Sequence, residues 1–88
     1  LSDDYCEVVF KTTNIDKWQS MLAESLGQPV KPAGEKPAAE DMKATKDFNG
    51  IYVNQTLYKK DIEGVTVIAM LWPWGSGDLT TLKLAVLS

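Results

Sequence analysis

The sequence predicts an α+β domain: a single four-stranded, mostly antiparallel sheet with one main amphipathic helix on one face, in the order β-α-(α)-β-β-β. Three observations carry that reading. Residues 65–72 form a near-continuous apolar run between Gly64 and Pro73, as expected of a strand covered on both faces. Residues 5–12 and 79–87 place their bulkiest apolar side chains at alternate positions, the period of a strand with one face on a core. Residues 15–26 repeat apolar side chains every three or four positions, which puts them on one side of a helix.

Taken in order, the first strand turns Cys6, Val8 and Phe10 to one side, the apolar one, and Tyr5, Glu7, Val9 and Lys11 to the other. Thr13-Asn14 offers capping oxygens before the helix, and Asp16 adds negative charge in a first turn that favours it. The helical stripe is Ile15, Trp18, Met21 or Leu22, and Ser25 or Leu26. Gly27 suits a left-handed end, and Pro29 prevents the helix resuming. Residues 28–37 hold three prolines and a glycine, so an extended surface connection is expected there. Residues 38–48 predict a short helix marked weakly by Ala38, Met42 and Phe48, ended by Asn49-Gly50. A second strand is expected over 51–59, with a turn over 59–64 built on Asp61 and Gly64. The apolar run is the third strand, 72–78 a loop, and 79–87 the fourth strand. Strands two to four form a meander, and all 88 residues make one domain.

Composition narrows function more by exclusion than by assignment. All nine basic residues are lysines and the net charge is -3. With no arginine to grip phosphates or guanine edges, nucleic acid is not an expected partner. With no histidine, the usual base near neutral pH and the commonest transition-metal ligand are missing. Cys6 is the single cysteine, so no internal disulfide or thiolate cluster forms, and a buried, inert thiol is expected. Asp3-Asp4 and Glu40-Asp41 lack the spacing of a calcium loop, and Gly75-Ser76-Gly77 is too short for a phosphate cradle. No cofactor, metal or catalytic residue is expected. No run is long enough to cross a bilayer, which predicts a soluble domain with a slight preference for the cytoplasm.

One helix covers one face of such a sheet. The third strand points Val65, Val67, Ala69 and Leu71 one way and Thr66, Ile68, Met70 and Trp72 the other, so the second face needs a cover as well. The connection with its short helix, a second copy, and another partner or ligand are the three candidates. Trp72 and Trp74 flank Pro73 in a stiffened loop that could serve as an interaction hot spot, but the first reading is structural, with Trp72 closing the core and Trp74 folding over the sheet edge. The Pro-Trp pair resembles the hairpin loop of the cystatin-like protease inhibitors. That resemblance spans two residues, and Lys60-Asp61-Ile62-Glu63-Gly64 stands where that family has Gln-x-Val-x-Gly, so it implies nothing further. Tyr52, Asn54, Thr56 and Tyr58 share one face of the second strand and, with Met70, form a candidate pocket wall for a small apolar or planar ligand, and tyrosines are also simply good strand formers. The expected function is a non-catalytic protein-interaction or self-assembly module, a homodimer or protein complex formed through the sheet face. The alternative is a ligand-binding or regulatory domain using the second face as its pocket.

Overall fold

A computed structural model describes residues 5–87. Four strands, β1 (Tyr5–Lys11), β2 (Thr56–Ile62), β3 (Val65–Pro73) and β4 (Leu79–Leu87), form one sheet in the order β1-β4-β3-β2, every neighbour antiparallel. The apolar run is therefore central, as its two-sided hydrophobicity requires. Two helices, α1 (Ile15–Leu26) and α2 (Ala39–Thr45), lie before the meander.

The second strand starts later than its alternation suggests. Ile62 pairs with Val65 across a two-residue turn, Glu63-Gly64, in which both residues have positive φ (50° and 86°). Such turns match the twist of the strands they join. Lys59, Lys60 and Asp61 thus belong to β2, and Asp61 Oδ1 accepts from the Thr66 hydroxyl across the hairpin at 2.6 Å. Residues 51–55 instead close on themselves. The Gln55 N–H donates to the Tyr52 carbonyl at 3.0 Å, and the Gln55 side-chain oxygen accepts from the Tyr52 N–H at 2.8 Å.

α1 has the bounds its periodicity predicts, but its entry differs. Asn14 makes no side-chain cap bond; a 3-10 turn, Thr12–Asn14, leads in instead. That turn is pinned by Thr12, whose N–H donates to the Asp78 carbonyl at 2.9 Å and whose hydroxyl meets that of Thr80 at 2.9 Å. Ile15, Trp18, Leu22 and Leu26 then pack on Phe10, Tyr58, Ala69, Leu71 and Leu82, while Met21 and Ser25 face water. The Trp18 and Phe10 rings stack with centroids 4.8 Å apart. Each fully buried leucine in this layer contributes about 1.5–3 kcal/mol.

Tyr58 lies in the same layer, and burial pushes its phenol above the usual tyrosine range. The folded chain then keeps that proton to higher pH than the unfolded chain. Stability is complete below pH 10 and falls as the pH rises past it, because only the unfolded phenol ionises freely. Tyr58→Phe should flatten this alkaline loss; parallel urea midpoints for the two proteins between pH 8 and 11 would contradict the assignment.

The centre of the second face is closed by the chain itself. α2 runs on into a 3-10 turn, Lys46–Phe48, after which Asn49 and Gly50 (φ 73° and 78°) turn the backbone so that Ile51 joins Leu57, Ile68, Met70 and Ala85. Phe48 stacks on Tyr5 with ring centroids 5.3 Å apart. Ile68 and Met70 are 0% exposed. Of the three candidate covers, the connection with its short helix is the one that lies over the centre of this face.

The connection over 28–37 is less of a surface strap than its prolines suggest. Lys31, 2% exposed, reaches inward and its Nζ donates to the carbonyls of Val53 at 2.9 Å, Pro32 at 3.1 Å and Gln55. Burial lowers the lysine's pKa, opposed by the charges of Asp41 and Glu35. The Lys31 backbone also bridges Leu57, extending the sheet beyond β2 by one position.

Candidate functional site

At one end of the second face the cover stops, and side chains from three strands and two loops form a ledge. Antiparallel register places Glu7 opposite Lys83, and Val9, Thr81 and Trp72 in one row across β1, β4 and β3. Trp74 joins from the loop after β3, where its indole N–H donates to the Thr81 hydroxyl at 2.8 Å. Tyr52 joins from the turn over 51–55, edge-on to Trp72 with centroids 6.4 Å apart and planes at 61°. Tyr52 (57%), Val9 (51%) and Trp74 (45%) are its exposed apolar and aromatic members, and Glu7 is exposed as well.

Lys83 is the charged centre of the ledge, and it is buried. Its Nζ sits 3.3 Å from the Trp72 ring centroid and 3.9 Å from Glu7 Oε1, so a π face and a carboxylate replace much of its water. Glu7 Oε1 also accepts from the Tyr5 phenol at 2.5 Å. Burial, then this contact with Glu7, raises the Tyr5 pKa, which keeps the phenol a donor. The Trp72 indole N–H is buried without a partner among the described residues.

Of the residues the sequence singles out, Tyr52, Trp72 and Trp74 come together here. Met70 lies sealed beneath the cover, and Tyr58 is on the opposite face, paired with Ala69 under α1. The expected pocket wall of Tyr52, Tyr58 and Met70 therefore does not form. Its premise was strand alternation from residue 51, and Tyr52 precedes the strand. Tyr58 instead helps line a shallow groove of about 350 Å³ between α1 and the connection, with Thr56, Gln19, Ser20, Ala23 and Pro29. Cys6 also departs from expectation: it is exposed, because the layer under α1 reaches β1 only at Phe10, which stacks on Trp18, and Cys6 lies toward the other end of the strand. Asp41 is occupied in accepting from the Ala38 N–H at 2.8 Å, and Asp3 and Asp4 lie outside the described residues.

The members of the ledge that sequence reasoning missed are Glu7, Val9 and Lys83. The signal was a lysine inside the apolar alternation Leu82-Lys83-Leu84, which reads as solvent-facing until register supplies its partners.

Among the described residues, the ledge borders an open strand edge. Since Thr12 donates to Asp78 on the β4 side, alternation turns the backbone groups of Phe10 and Val8 toward β4 and those of Lys11, Val9, Glu7 and Tyr5 outward. The opposite margin is protected. Leu57 N–H donates to the Lys31 carbonyl at 2.9 Å and Val30 N–H to the Leu57 carbonyl at 2.9 Å, while Lys59, Lys60 and Asp61 charge the remainder of β2. Among the described residues no helix is long and apolar enough to cross a membrane, and no cluster of three metal-ligating side chains occurs. Compared with known proteins, the chain matches no family model, no curated protein and no solved structure.

Proposed function

We propose that this chain is a non-catalytic interaction module that takes a protein strand along the outer margin of β1, with Val9 and Trp74 as flanking contacts. The observation that carries the reading is the outward row of backbone donors and acceptors at Glu7, Val9 and Lys11 beside an exposed aromatic and aliphatic ledge. Main-chain pairing supplies affinity in strand addition, and the side chains on either face supply selectivity. An acidic chain without arginine suits a protein partner better than a polyanion.

A displayed peptide library tests this. Selected peptides should perturb the amide signals of Glu7, Val9 and Lys11 and shield Trp74 fluorescence. Peptides or small molecules that settle only in the groove lined by Tyr58 and Thr56 would favour the ligand-binding reading instead. Trp74→Ala should weaken such peptides at least tenfold while lowering stability by less than about 1 kcal/mol, since the ring is already half in water. Unchanged binding with a strongly lowered melting temperature would make Trp74 a structural residue.

A further inference from the structure

We infer that the strand accepted by β1 is the β1 of a second copy, paired antiparallel to itself about Val9. This rests on the interaction reading above and names its partner. A two-fold axis through the margin of β1 allows few registers, because the outward-facing residues Tyr5, Glu7, Val9 and Lys11 must meet outward-facing residues of the other copy. Centring on Glu7 sets two carboxylates face to face. Centring on Val8 opposes Glu7 to Val9 and leaves Lys11 against Tyr5, so neither charge meets its opposite. Centring on Val9 places Glu7 of each copy opposite Lys11 of the other, twice, with Val9 on Val9 between them. Glu7 is already oriented by Tyr5 and Lys83 on the ledge face, the face that Lys11 shares. Of the devices that block pairing the edge carries only charge, Glu7 and Lys11, which are of opposite sign and meet their opposites in this register. It has no proline, its exposed centre is valine, and its ladder with β4 runs unbroken from Tyr5 to Lys11.

Sedimentation of the chain between 5 µM and 1 mM, in reductant at low salt, should show a mass rising from one chain to two. Lys11→Glu should weaken the association at least tenfold without moving the melting temperature, and Lys11→Arg should retain it. In a Cys6→Ser background, Val9→Cys should form a disulfide-linked dimer on mild oxidation and Val8→Cys should not, since only the former lies on the axis. A mass of one chain at every concentration, association indifferent to Lys11→Glu, or cross-linking through Val8→Cys and not Val9→Cys would each overturn the proposal. A monomer whose β1 still takes library peptides sinks self-pairing and leaves the interaction reading intact; a monomer that takes none sinks both.

Discussion

Replacing Lys31 with methionine should cost the fold about 3 kcal/mol, a large share of the total for a domain of this size. The side chain is nearly isosteric and more apolar, so on burial alone the change would be benign. What it removes is the donor for the carbonyls of Pro32, Val53 and Gln55, which lie where two loops and the edge of β2 converge. A buried acceptor left unpaired costs about 1–3 kcal/mol. The Gln55 carbonyl loses its donor outright, while those of Val53 and Pro32 lose a charged donor but keep the N–H groups of Gly34 at 2.7 Å and Glu35 at 3.4 Å. The gain from no longer desolvating a charge offsets part of that loss, which is why the expected figure lies below the simple total. A shift of this size lowers the melting temperature by about 15 °C for a chain of this length. The connection should also loosen, so limited proteolysis within 28–37 should quicken in Lys31→Met while α1 stays protected. A loss under about 1 kcal/mol, or unchanged cleavage, would show that the ammonium is not what anchors the connection.

This lysine marks where the sequence stops being legible. α1, the central position of β3 and the meander could all be read because each is written in local periodicity, with Gly27, Gly64 and Pro73 as punctuation. A lysine in a proline-rich stretch carries no local sign that it will turn inward, since its partners are backbone carbonyls 22 and 24 residues away. The late start of β2 was hidden for a related reason. Ile51, Val53 and Leu57 alternate as a strand would, but Ile51 is buried by a turn and Val53 is exposed. The ledge was half legible. Its aromatic members announce themselves by composition, whereas Glu7, Val9 and Lys83 become neighbours of Trp72 only through the antiparallel register of β1 and β3 on β4. Exposure of Cys6 follows from where the layer under α1 meets β1, which no pattern within β1 encodes.

Ile51→Ala should cost about 3 kcal/mol, and the reason bears on whether this fold needs company. Ile51 is fully buried against Leu57, Ile68 and Met70, held there by the positive-φ pair Asn49-Gly50 and the Gly50 N–H bond to the Thr45 carbonyl at 2.9 Å. Truncating a buried isoleucine removes its transfer free energy and leaves a cavity, about 2–5 kcal/mol together. Tyr52→Ala, one residue on and mostly in water, should stay within about 0.5 kcal/mol apart from its edge contact with Trp72. Ile51→Asp should be harsher still, forcing the turn off the sheet and baring Ile68 and Met70, with dye binding and concentration-dependent aggregation as the readouts. The contrast between adjacent positions isolates the role of the cover. If Ile51→Ala instead costs no more than Tyr52→Ala, the centre of the second face is not sealed by its own chain, and the case for an outside partner there returns in full.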